Sequence, residues 1–248
     1  MVSKINNHSL LDNLPIFGMI HLAGDKPVIR ALEELSIFEE EGITGAIIEN
    51  YHGSIGDVIG TLQETSQRKN NLVIGINILP NDFEQAFSLA QQYKADFIQL
   101  DHVAGRYDQG ELNFPIYSSF KRRHKDTLVL GGVWPKYYHP IDGSNLDADL
   151  REGMTRAEAI VVTGAGTGKE TPLDKIRRFK EVMGGHSLII GAGLTPENAY
   201  RQLLIADGAI VGTSLKLNNN PCEPVDRLKV RDFMSQVKEA RTYKINLK

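Results

Sequence analysis

Eight short runs rich in Ile and Val recur along the chain, and no other feature limits its fold as tightly. They are Ile16 to Leu22, Ala46 to Asn50, Leu72 to Leu79, Phe97 to Asp101, Leu128 to Val133, Ala159 to Thr163, Leu188 to Gly193 and Ala209 to Ser214. Each is nearly continuous in apolar residues, as strands buried on both faces are. The stretches between them carry apolar stripes at helical spacing. Leu32, Leu35, Ile37 and Phe38 form one stripe; Phe83, Ala86, Phe87 and Ala90 a second; Leu173, Ile176, Phe179 and Val182 a third. Thr171-Pro172 and Thr195-Pro196 read as helix starts, with Thr as the cap and Pro at the first helical position. Strand and helix thus alternate eight times in 248 residues, about 31 residues per unit. This spacing predicts an α/β chain folded as a single (β/α)8 TIM barrel. The whole of 1–248 is read as one domain, with an N-terminal extension over 1–14 and the barrel over 15–240. An open doubly wound sheet is the alternative, usually with fewer strands.

The connections are unequal. Helix-to-strand links are short, as at Glu41 to Thr44 and Ala206 to Gly208. Three strand-to-helix links are long: Asp101 to Asn113, Trp134 to Asp147 and Thr163 to Glu170. In this fold those loops form the face that carries chemistry. The expectation is a covered site at that end.

Composition excludes several classes. Lys and Arg number 28 against 31 Asp and Glu, so there is no basic excess to bind nucleic acid or a membrane surface. No apolar run approaches the roughly 18 residues of a membrane span, so no integral membrane segment is expected. The first eight residues are polar and lack the core of a signal peptide. The single cysteine, Cys222, rules out an intramolecular disulfide and a Cys-based zinc site, and it fits a reducing compartment. A cytoplasmic protein is expected.

Two sets of residues could carry chemistry. One follows the seventh and eighth strands, where Gly191, Gly193 and Gly212 precede Thr213, Ser214 and Lys216. Glycines let backbone N–H groups approach an anion, and these two strand ends hold phosphate in many barrels. Thr163 and Lys136 extend this candidate phosphate or substrate site; alternatively, the glycines serve packing alone. Gly164 to Thr171 resembles a P-loop superficially, but three residues rather than four separate Gly164 from Gly168, and Glu170 follows Lys169. It reads as a loop over the mouth.

The other set follows from strand parity. If Ile98 and Leu100 face the helices, Gln99 and Asp101 turn inward. The same argument turns His21, Glu49 and Asn77 inward, so His21, Glu49, Asn77 and Asp101 are the candidate catalytic groups. Carboxyls in a partly desolvated cavity can exchange protons near neutral pH. A structural polar cluster is the competing reading. No cofactor motif is evident, although Glu49 and Asp101 could hold a divalent metal. Of seven histidines, His21, His52, His102 and His139 fall near strand ends on this face. Trp134, Lys136, Tyr137, Tyr138 and His139 mix aromatics with a cation. They are expected to close over a ligand, or else to pack the loop down or form a contact in a homo-oligomer.

The chain resembles the BtpA family along nearly its whole length. The resemblance rests on Gly18-Met19-Ile20-His21-Leu22, Ile48-Glu49-Asn50, Gly75 to Leu79 with Asn81-Asp82, and Asp108-Gln109-Gly110. Val162-Thr163-Gly164, Gly193 to Asn198, Ala206 to Lys216 and Pro224-Val225-Asp226 complete it. It implies a barrel related to phosphate-binding barrel enzymes. The family takes its name from photosystem I biogenesis, while members in non-photosynthetic bacteria imply a metabolic or general role. Together these readings point to an enzyme acting on a small phosphorylated, ribosyl-like metabolite by isomerase- or lyase-type acid/base chemistry. A non-enzymatic biogenesis factor and a sensor of a phosphorylated ligand are the alternatives.

Overall fold

The computed structural model describes residues 10–68 and 71–246. Eight parallel strands close into a barrel. They are β1 (Ile16–Ile20), β2 (Gly45–Glu49), β3 (Val73–Asn77), β4 (Phe97–Leu100), β5 (Leu128–Gly132), β6 (Ala159–Val162), β7 (Ser187–Ile190) and β8 (Gly208–Val211). The helices are α1 (Pro27–Glu40), α2 (Ile55–Gln67), α3 (Phe83–Tyr93), α4 (Phe114–Arg123), α5 (Leu146–Arg156), α6 (Leu173–Met183), α7 (Pro196–Leu203) and α8 (Arg227–Asn246). The eight apolar runs are the eight barrel strands, and the closed ring excludes the open sheet.

Alternation sorts the strand residues into two cores. Outward residues such as Ile20, Ile48, Ile76, Ile98 and Val162 pack under the helices. Inward residues such as Phe17, Met19, Ile47, Val73, Phe97 and Ile210 fill the barrel. The interior is packed, as barrels of this size require. Phe17 and Phe97 meet at 4.8 Å between ring centroids. Gly75 leaves the space that the Phe97 ring occupies.

The N-terminal extension is part of this packing. Leu10 is buried and joins the interior cluster at the barrel floor, while Leu14 is buried under the helices. Residues 1–9 of that extension, with the polar N-terminus, lie outside the described residues. At the other end α8 continues past 240 to Asn246.

The two helix starts differ. Pro196 opens α7, and the Thr195 N–H donates to Asn198 Oδ1 at 2.8 Å. Thr171 does not cap α6, which begins at Leu173 after Pro172. Its buried hydroxyl instead donates to the Ala192 carbonyl at 3.0 Å. A long-range partner outcompetes the local cap. Among the described residues no helix is long and apolar enough to cross a membrane.

Candidate functional site

Along each strand the next inward position toward its C-terminal end lies at the barrel mouth. There the filling turns from apolar to polar or to glycine. His21, Glu49, Asp101, Gly132, Thr163 and Gly212 line one cavity of about 530 Å³. Asn77 is fully buried beneath it and donates from Nδ2 to Glu49 Oε1 at 2.6 Å. Gln99, also inward on β4, lines the wall. Outward Ile98 and Leu100 pack under the helices, the parity that the sequence implies.

The two carboxyls are held differently. Glu49 is 7% exposed. Burial pushes its pKa up to about 7, and nearby Asp101 adds to this, while Lys136 and the Asn77 amide oppose it. Asp101 accepts a hydrogen bond from the Tyr138 hydroxyl at 3.0 Å. Burial raises its pKa too, against Tyr138, Lys136 and Asn77. Glu49 thus exchanges its proton near neutrality, as acid/base chemistry requires, and Asp101 is shifted in the same direction. His21 is held neutral, its pKa lowered to about 3 by burial, with Lys216 adding to the effect.

Two asparagines continue the sheet past its strands. The Asn50 side chain accepts from the Leu79 N–H at 2.7 Å and donates to the Leu79 carbonyl at 3.3 Å. The Asn81 side chain does the same with His102, at 3.1 Å for both bonds. An amide side chain offers the same donor and acceptor as a backbone residue. Each clamp therefore adds one more rung, from the end of β2 to the β3 loop and from there to the β4 loop. Glu49, Asn77 and Asp101 sit on these stitched segments. Nothing local in the sequence marks either asparagine for this role, although both fall in the motifs of the BtpA resemblance.

Loops roof the cavity. Pro135, Lys136, Tyr137 and Tyr138 line it from the β5 loop, and Thr167, Gly168 and Lys169 from the β6 loop. The Lys136 N–H donates to Thr163 Oγ1 at 2.7 Å, and its Nζ donates to Thr167 Oγ1 at 3.0 Å. Thr167 also meets the Tyr137 hydroxyl at 3.2 Å and the Tyr51 hydroxyl at 3.4 Å. Tyr51 follows β2 and Thr167 follows β6, on opposite sides of the ring, so this contact crosses the mouth.

The β5 loop already lies over the cavity. Trp134 is not on the lining. Its indole N–H donates to Asp149 Oδ2 at 2.8 Å and its carbonyl accepts from Lys175 Nζ at 3.0 Å. His139 lies outside the cavity, beside Asp108 at 3.1 Å. His102 is buried beneath the mouth, its ring 5.0 Å from both Tyr107 and Tyr138.

The opposite rim is built from backbone. Gly191, Gly193, Gly212, Thr213 and Ser214 all line the cavity. Gly193 has φ +73°, and a side chain there would strike the Lys169 carbonyl. A Cβ on Gly212 would stand 3.1 Å from His21 Cε1 and from Met19 Cβ. Thr213 to Leu215 form a 3-10 turn, so the first amides there have no partner within the turn. The Ser214 hydroxyl donates to the Leu194 carbonyl at 2.5 Å and ties the two glycine loops together.

Lys216 is not part of this rim. It is 1% exposed, and its Nζ lies 3.0 Å from Glu34 Oε1 on α1. The 3-10 turn swings the side chain away from the mouth to satisfy a buried carboxylate, which also accepts from the Val225 N–H at 3.1 Å. Lys169 lines the cavity instead, its backbone carbonyl set against Gly193. Asn219 and Pro221, in the long loop after β8, also line the cavity and carried no signal in the sequence. Among the described residues no group of three or more His, Cys, Asp or Glu stands placed to hold a metal ion.

The BtpA family model matches residues 15–239. The photosystem I biogenesis protein BtpA of Synechocystis is 26% identical over 253 residues, covering 91% of this chain and 88% of that protein. The putative sgc region protein SgcQ of Escherichia coli is 31% identical over 175 residues, 67% of this chain and 65% of that protein. Among solved structures, phosphoribosyl anthranilate isomerase from Thermus thermophilus aligns with TM-score 0.64 and 14% identity, over 91% of this chain and 99% of that chain. A native KDPGal structure aligns with TM-score 0.66 and 14% identity, over 92% and 97%. At that identity the structures establish the barrel, whereas the family match spans the strand ends that build the mouth. This chain is a member of the BtpA family.

Proposed function

We propose that the protein is an enzyme that binds a small phosphorylated metabolite and transforms it by acid/base chemistry of the isomerase or lyase type. One observation carries the reading: two buried carboxyls, Glu49 and Asp101, face a single cavity whose other rim is the glycine-built β7 and β8 loops. The phosphate would lie against the amides around Gly193 and Gly212, beside Lys169. The reacting atoms would then point toward Glu49 and Asp101. Thr163, Gly191, Thr213 and Ser214 shape the anion side, and Lys136 stands between the halves. His21 and Asn77 support the carboxyl side. One of the aligned barrels is described as a phosphoribosyl anthranilate isomerase, which agrees with the reading but supplies no reaction.

Calorimetry with inorganic phosphate and with ribose 5-phosphate tests it. The expected result is saturable binding of both, with the sugar ester tighter. Failure of both to bind would remove the anion site. A sensor differs from an enzyme in leaving its ligand intact, so the concentration of a bound ester is followed over time at catalytic amounts of protein. A homo-oligomer and a cytoplasmic setting remain part of the proposal.

A further inference from the structure

The cavity separates its charges. Carboxyls stand on the β2 and β4 ends, glycines on the β7 and β8 ends, and Lys136 lines the same cavity, where its charge lowers the pKa of both Glu49 and Asp101. Lys136 is not a free surface arm. Thr163 fixes its backbone and Thr167 fixes its Nζ. Thr167 is in turn held by Tyr137, whose hydroxyl accepts from the Thr167 N–H at 2.9 Å. Asn77 orients Glu49, and Tyr138 orients Asp101. A cation fixed opposite two proton carriers is what a reaction needs when negative charge develops on an oxygen next to a carbon that loses its proton.

Building on the phosphate-ester reading above, the geometry points to a 1,2-proton shift on a phosphorylated α-hydroxy carbonyl compound, with Lys136 stabilising the enediolate oxygen. The Glu49 carboxylate takes the hydrogen from the carbon that bears the hydroxyl. The C–H electron pair becomes the new C=C bond, and the carbonyl π pair moves onto oxygen beside the Lys136 ammonium. Asp101, held by Tyr138, carries the hydroxyl proton from one oxygen to the other. Glu49 returns its proton to the former carbonyl carbon. One hydrogen has moved between adjacent carbons and one between their oxygens, with no external oxidant or reductant. The raised pKa of Glu49 suits a group that both takes and gives a proton near neutrality. The phosphate anchored at the far rim keeps the reacting carbons between the two carboxyls.

The test follows carbon-bound hydrogen. The full chain is incubated in D2O with dihydroxyacetone phosphate, ribulose 5-phosphate or ribose 5-phosphate, and deuterium at the carbon next to the carbonyl is read by NMR. The tightest binder of the three is expected to exchange that hydrogen. Glu49→Gln should slow exchange by about a hundredfold or more. Lys136→Met should slow it by about tenfold or more, with Lys136→Arg restoring part of the rate. Far-UV circular dichroism and cooperative thermal unfolding like those of the unaltered chain should show that the Glu49→Gln and Lys136→Met proteins fold. Binding without exchange overturns this inference and leaves the anion site standing. So does exchange that survives both substitutions. Loss of phosphate binding by the unaltered chain removes the anion site and this inference with it.

Discussion

The two halves of the mouth are made from different materials. On the β2 to β4 side the chemistry lies in side chains, and rigidity comes from other side chains: Asn77 on Glu49, Tyr138 on Asp101, and the Asn50 and Asn81 clamps on the loops behind them. On the β7 and β8 side the cavity is lined by glycines, and the proposed anion contacts are backbone amides, which glycine leaves reachable. A side chain at Gly193 would strike the Lys169 carbonyl, and one at Gly212 would press on His21. The first half needs residues of the right kind at the right parity. The second needs residues that are missing a side chain. Substitution should therefore act by different routes in the two halves, and this contrast can be tested.

The largest expected effect concerns a residue that belongs to neither half. Lys216 follows directly on the glycine rim, yet it pairs with buried Glu34. Lys216→Met should leave that carboxylate only Arg30, at 3.3 Å, and the Val225 N–H, and cost about 3 kcal/mol of stability, read by denaturant unfolding. Under conditions where the variant is still folded, phosphate affinity should stay close to that of the unaltered chain. A stable variant with abolished phosphate binding would return Lys216 to the anion site and blur the contrast.

Next comes Glu49 as a stability effect. Its pKa rises from the ordinary carboxyl value of 4.5 to about 7 on folding. The folded chain therefore holds this proton more tightly than the unfolded one. The stabilisation is complete below about pH 4.5 and is lost as pH rises through about 7. Glu49→Gln imitates the protonated form. Its unfolding free energy should lie close to that of the unaltered chain near pH 4 and exceed it near pH 8 by about 3 kcal/mol, read by denaturant unfolding at each pH. A gap that does not change with pH would mean that the carboxyl side is not desolvated as described. Gly212→Val probes the backbone side and should weaken phosphate binding by about tenfold. Its Cβ would sit within 3.1 Å of His21 and Met19, so the rim must shift. Unchanged affinity by calorimetry would show that the amides there are not the anion contacts.

Much of this arrangement was legible in the sequence, and the reason is periodicity. A strand alternates strictly, so choosing Ile98 and Leu100 as outward fixes Gln99 and Asp101 as inward, and the same step places His21 and Glu49 at the cavity. The glycines announced themselves by position after the last two strands. What stayed hidden depends on partners distant in the chain. Glu34 lies 182 residues from Lys216, so local reading left that lysine on the wrong side of its turn. Thr171 looked like a helix cap because Pro172 follows it, but its hydroxyl goes to Ala192, 21 residues on. Asn219 and Pro221 reach the cavity only because the loop after β8 folds back over it. Nothing in their types marks them.

The smallest expected effect falls on the β5 loop, and it asks whether the roof between the two halves moves. Length and aromatic content led to the expectation that Trp134 to Asp147 closes over a ligand, with Trp134 as its reporter. The structure divides that loop. Pro135 to Tyr138 line the cavity, whereas Trp134 is anchored away from it at both ends of the residue, by Asp149 on the ring and by Lys175 on the carbonyl. Its N–H is also taken, donating to the Tyr107 hydroxyl at 2.9 Å. Three bonds to three separate segments leave little freedom for the indole. Any movement on binding should therefore begin at Pro135, beyond the anchor, and spread through Lys136 and Tyr137. Tryptophan emission and its quenching by iodide should change by only about 10% or less when phosphate saturates the site. A large spectral shift would place the hinge before Trp134, and the whole loop would then be a lid that couples the carboxyl half to the anion half.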